Sequence, residues 1–128
     1  MIRGSTALIA HIARRQAEYD YFIFFSFRYY HAFHGARAVP RQAILVPTAE
    51  RDPAVGLHVF GPVFRGVRAL MYNSPEERAM IQGIAGNESV PSVVVGIGSE
   101  VPPNPQPQRF RAYDSTRTSV RSGSESFR

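Results

Sequence analysis

The chain has 128 residues, room for one domain that buries about two thirds of its unfolded surface around a single modest core. It contains no cysteine, which excludes a disulfide framework, a thiolate zinc site and a cysteine nucleophile. Its net charge of +5 rests on 15 basic residues, all Arg, against 10 acidic ones; residues 103–128 hold five of the Arg (109, 111, 117, 121, 128) against Asp114 and Glu125, so the excess lies mostly in the tail.

Nothing in folding requires a lysine-free chain, and the bias reads as codon usage rather than phosphate recognition. The start, Met1–His11, lacks a leader pattern, and no apolar run approaches the ~20 residues of a spanning helix. Cytoplasmic residence without a membrane span is expected, with peripheral membrane contact left open to the basic tail.

In chain order, Ser5 or Thr6 is placed to cap a helix over about 5–17, with Leu8, Ile9, Ile12 and Ala13 at helical spacing and Arg14 and Arg15 late, where the dipole favours cations. Tyr21–Phe27 (YFIFFSF) is a nearly unbroken apolar run, typical of a central parallel strand covered on both faces. A short helix within Arg28–Ala38 follows, and Pro40 breaks the chain before a strand at 43–47. Leu57, Phe60, Val63, Phe64 and Val67 suggest an amphipathic helix that Gly61 and Pro62 kink or delay. A strand at 69–72 comes next.

Asn73–Gly86 carries the clearest local signal. Ser74 caps, Pro75 takes the first helical position, Glu77 completes a capping box, Glu76 complements the positive end, and Gly86 is the stop. The last strand, 92–96, runs into Gly96-Ile97-Gly98. The alternation of strand and helix predicts an α/β fold with a four-stranded parallel sheet and helices packed on it. From 103 the Pro-, Ser- and Arg-rich sequence has too few aliphatics to offset its ordering entropy, so a disordered tail is expected.

Three strands end abruptly in polar residues: AILVPTAERDP, ALMYNSPEE and PSVVVGIGSEVP. In open parallel sheets ligands bind outside the carboxyl ends of the strands, so function is expected there. Glu50, Arg51 and Asp52 read either as a solvated turn or as cleft residues. Asn73-Ser74 reads as a helix cap before a ligand contact. His31 and His34 lack a third ligand, so no metal is expected. Gly96-x-Gly98 reads as a tight turn rather than a nucleotide fingerprint.

YDYFIFFSFRYYHAFHGA, AILVPTAERDP, FRGVRALMYNSPEERAMIQ and VPSVVVGIGSEVP, in that order and spacing, resemble the second half of the N-terminal domain of a family 4 (group 1) glycosyltransferase with GT-B architecture. The resemblance covers about residues 1–111, and Gln108-Arg109-Phe110-Arg111 looks like the crossing into a second domain. It implies a partial Rossmann-like domain over 1–102, and a retaining enzyme that moves a sugar from a nucleotide-sugar donor to an unidentified acceptor without a metal or other cofactor. It places Arg28, Glu50, Arg51, Asp52, Asn73 and Glu100 along the cleft-facing edge, and identifies no catalytic residue. Where many relatives have a His after this strand, Glu50 stands here, so that role does not transfer. Met1 opens inside a helix of the family pattern, and the likeness to the second domain stops at about Tyr113. A truncated copy, inactive alone, is the expectation.

The alternative is a non-catalytic Rossmann-like binding or interaction module with a basic tail. Nucleic-acid binding is not expected, because the tail arginines are dispersed rather than clustered.

Overall fold

A computed structural model describes residues 2–98 together with 103, 107 and 108. The chain divides into two units, 1–97 and 98–128, and every strand among the described residues lies in the first. The elements are α1 (Ile2–Arg14), β1 (Phe22–Phe25), α2 (Tyr30–Ala38), β2 (Ala43–Val46), α3 (Gly61–Gly66), β3 (Ala69–Tyr72), α4 (Pro75–Ala85) and β4 (Ser92–Val94), with short 3-10 turns at Gln16–Glu18 and Pro53–Gly56. All strand pairs are parallel and the order is β1-β2-β3-β4. The α/β reading with a four-stranded parallel sheet is therefore correct. The tail expected to be disordered from 103 lies outside the described residues, except that 103, 107 and 108 are exposed.

Each strand joins the sheet on the same side as its predecessor, and right-handed crossovers then carry every connecting helix over one face. Burial follows that geometry. Phe24, Ala43, Leu45, Leu70 and Tyr72 alternate inward and meet Ala32, Ala36, Val63, Phe64, Ile81 and Ala85 from the helices in one core. Opposite them, Ile23, Phe25, Val93 and Val95 are exposed, Ile44, Ala69 and Met71 are half-buried, and Val46 is buried. The reading of β1 as a central strand covered on both faces is corrected: β1 is an edge strand with one bare face.

Local signals hold where side chains act on their own turn. In α4, Ser74 Oγ accepts from Glu77 N at 3.1 Å, Pro75 takes the first position, and Gly86, at φ 62°, ends the helix with its N–H on Gln82 O. The capping box is only half formed, since the Glu77 carboxylate binds Asn73 N rather than Ser74 N. Helix α1 begins at Ile2, ahead of the expected Ser5/Thr6 cap. Helix α3 starts late, with Pro62 in its first turn.

Gly35 lets α2 approach β1, because a Cβ there would run into the buried Phe24 ring. Alanine ordinarily gains about 1 kcal/mol over glycine inside a helix. Here overpacking wins, and Gly35→Ala is expected to lower stability by about 1–2 kcal/mol in urea unfolding. A stabilised variant would show that Phe24 moves aside freely.

Tyr72 is buried with its hydroxyl receiving Asn87 Nδ2 at 3.2 Å, and the same amide donates to Phe64 O at 3.1 Å near the end of α3. Burial pushes the Tyr72 phenol above its ordinary value, with the Asn87 hydrogen bond opposing the shift. The unfolded chain therefore releases this proton first, at about pH 10. Stability is fully present below that pH and falls as pH rises through the higher folded value. Urea midpoints measured between about pH 8 and pH 11 should show that fall, and Tyr72→Phe should remove its share.

Candidate functional site

The carboxyl ends of β1 and β2 diverge into a hollow of about 240 Å³ lined by Ser26, Phe27, Arg28, Tyr29, Pro47, Thr48, Glu50 and Asp52. Its backbone is unusual. Ser26 (φ 67°) and Thr48 (φ 51°) both stand in the left-handed region without being glycine, an arrangement that costs about 1–2 kcal/mol per residue. Pairing continues through this bend, with Ser26 N on Val46 O at 3.0 Å and Phe27 N on Pro47 O at 3.1 Å. The twist turns Ser26 and Thr48 into the hollow while Phe27 drops into the core.

Arg28 Nη1 donates to Asp52 Oδ2 at 3.0 Å, bridging the two loops. Asp52 Oδ1 meanwhile accepts from Ala54 N at 2.5 Å and caps the 53–56 turn. Over half of the Arg28 side chain remains exposed, so the ion pair itself contributes little to stability. It holds a guanidinium at the rim, ready for a second anion or hydroxyl. Helix α2 begins there too, at Tyr30, and the residue before it, Tyr29, offers no side-chain cap to its first amides.

Glu77 fixes the loops from behind. It is buried, and its two carboxylate oxygens accept from Ala49 N and Asn73 N, each at 2.6 Å. One side chain on α4 thus ties the ends of β2 and β3 together.

Of the residues expected at the cleft-facing edge, Arg28, Glu50 and Asp52 meet around one hollow. Arg51 points elsewhere, lining with Asp52, Glu76, Met80 and Ile84 an open groove of about 660 Å³ beside α4. Asn73 lines neither, and its amide is committed to Glu77. Glu100 lies outside the described residues. Sequence reasoning missed Ser26, Tyr29 and Thr48; Tyr29 and Thr48 stand just past a strand, while Ser26 is hidden inside the apolar run Tyr21–Phe27.

Guanidinium, hydroxyl and carboxylate groups place hydrogen-bond donors and acceptors around the same hollow. The volume is below the roughly 300–1,000 Å³ of complete small-molecule pockets, so the hollow suits part of a ligand. Among the described residues no group of three or more His, Asp or Glu gathers as a metal site, and no helix is long and apolar enough to cross a membrane. No family model, curated protein or solved structure matches this chain.

Proposed function

We propose that this chain supplies one wall of the cleft of a GT-B glycosyltransferase that moves a sugar from a nucleotide-sugar donor to an acceptor. The observation that supports the reading is the convergence of Arg28, Glu50 and Asp52 outside the carboxyl ends of adjacent parallel strands, around a hollow sized for part of a ligand. In that reading the acceptor's hydroxyls pair with Glu50 and Asp52, and Arg28 orients them by its bridge to Asp52. Stabilising the departing diphosphate requires positioned donors that the likeness assigns to a second domain, so these 128 residues do not transfer sugar alone.

The test measures donor binding and sugar transfer with these 128 residues alone and joined to the first-strand segment and second domain of a glycosyltransferase of that family. Transfer is expected only from the joined protein, with Arg28→Ala lowering kcat/KM by about tenfold or more through lost orientation. A folded joined protein that binds no nucleotide-sugar, together with tight salt-sensitive DNA binding by the chain, would overturn the reading.

A non-catalytic interaction module is favoured by a different observation, the bare apolar face of the sheet. Retained transfer by the joined protein decides against it.

A further inference from the structure

Beside the polar hollow lies a second one, of about 280 Å³, lined by Arg28, Tyr30, Phe33, His34, Val59 and Phe60. Tyr30, Phe33 and His34 share one face of α2, while Val59 and Phe60 come from the turn before α3. The floor is fixed by aromatic packing. Phe33 meets Phe60 edge-on at 5.7 Å between centroids, and Phe60 meets the buried Phe27 edge-on at 4.8 Å. His34 stands 4.3 Å from Tyr30 and 4.9 Å from Phe33.

The two hollows differ in chemistry and share one residue. No carboxylate lines the second, and its polar groups are the Arg28 guanidinium, the His34 ring and the Tyr30 hydroxyl, which lies 3.4 Å from Thr6 Oγ1. The rings of Tyr30, Phe33 and Phe60 and the Val59 side chain give it mostly apolar surface, on which an aryl or alkyl group gains burial that a hydroxyl does not. Hydroxyls are better met next door, by Glu50, Asp52 and Thr48. Arg28 lines both hollows and joins them into one bipartite surface.

We infer that this surface takes an amphipathic acceptor, with its apolar group between α2 and the turn before α3 and its hydroxylated group in the strand-end hollow. The inference rests on the glycosyltransferase reading for the word acceptor, but not for the binding itself.

The experiment titrates the full chain with phenyl, n-hexyl and methyl β-glucosides and follows its amide and side-chain NMR signals. Phenyl or hexyl glucoside is expected to bind about tenfold tighter than methyl glucoside, with shifts at Tyr30, Phe33, Val59 and Arg28. Preference for phenyl points to an aryl group, and preference for hexyl to an alkyl chain. Val59→Asp, at an exposed turn position, should return either ligand to the methyl level, while Phe25→Lys on the bare sheet face should leave glucoside binding unchanged. Equal binding of all three glucosides, shifts centred on Phe25 and Val93, or unchanged binding by a folded Val59→Asp variant would each overturn the inference. Localised binding with no transfer by the joined protein would support this pocket and overturn the glycosyltransferase reading. Equal transfer to methyl and phenyl glucosides would do the reverse.

Discussion

Replacing Glu77 by Ala is expected to lower the unfolding free energy by about 3 kcal/mol, a large part of the margin of a domain this size. The carboxylate accepts from two backbone amides, Ala49 N and Asn73 N, at 2.6 Å each, and the residue is buried. Hydrogen bonds to a charged group contribute about 1.5–3 kcal/mol each, and truncation leaves both N–H groups without their partner. The carboxylate also sits at the positive end of α4, which adds a smaller favourable interaction. Glu77→Gln keeps the shape but turns an NH2 group toward one of the amides, so about half the loss should remain. Urea unfolding measures both variants. Hydrogen exchange supplies the local readout: in Glu77→Gln the amides of Ala49 and Asn73 should exchange faster relative to the core strands. A loss below about 1 kcal/mol for the alanine variant would mean that water replaces the carboxylate at little cost.

Glu77 also marks the limit of what the sequence discloses. Its bond partner Ser74 is three residues away, and that half of the capping box is legible from spacing alone. Ala49 is 28 residues away, and no local pattern encodes a contact created by sheet order. The same division runs through the fold. Apolar runs ending in polar or turn residues revealed all four strands, because burial within a parallel sheet demands such runs. They overstated β1, since Phe27 is apolar to serve the core from a loop and Ser26 has already left the strand. In the site, the strand-end rule brought forward Arg28, Glu50 and Asp52, which line one hollow, and equally Arg51 and Asn73, which do not line it. It gave no warning of the left-handed turns at Ser26 and Thr48, because neither residue is Gly or Asn. Those turns decide which neighbouring side chains reach the hollow.

The second large effect is expected on the bare face of the sheet. Ile23 is 55% exposed, Phe25 59%, Val93 49% and Val95 50%, all on the face away from the helices. Parallel sheets are normally covered on both faces, and an apolar edge strand such as β1 offers both side chains and unpaired backbone groups to another chain. At about 100 μM the chain should therefore sediment as associated species and bind a hydrophobic dye. A Phe25→Lys, Val93→Lys double variant should be monomeric and bind several-fold less dye. Its far-UV spectrum should be unchanged and its stability altered by no more than about 1 kcal/mol, because both positions are half-exposed already. Leu45→Lys is the contrasting control: that side chain is fully buried under the helices, and an unpaired ammonium there should abolish folding. If the wild-type chain is monomeric and takes up no dye, the face is covered in solution; if the double variant unfolds like Leu45→Lys, both sides of this sheet contribute to one core.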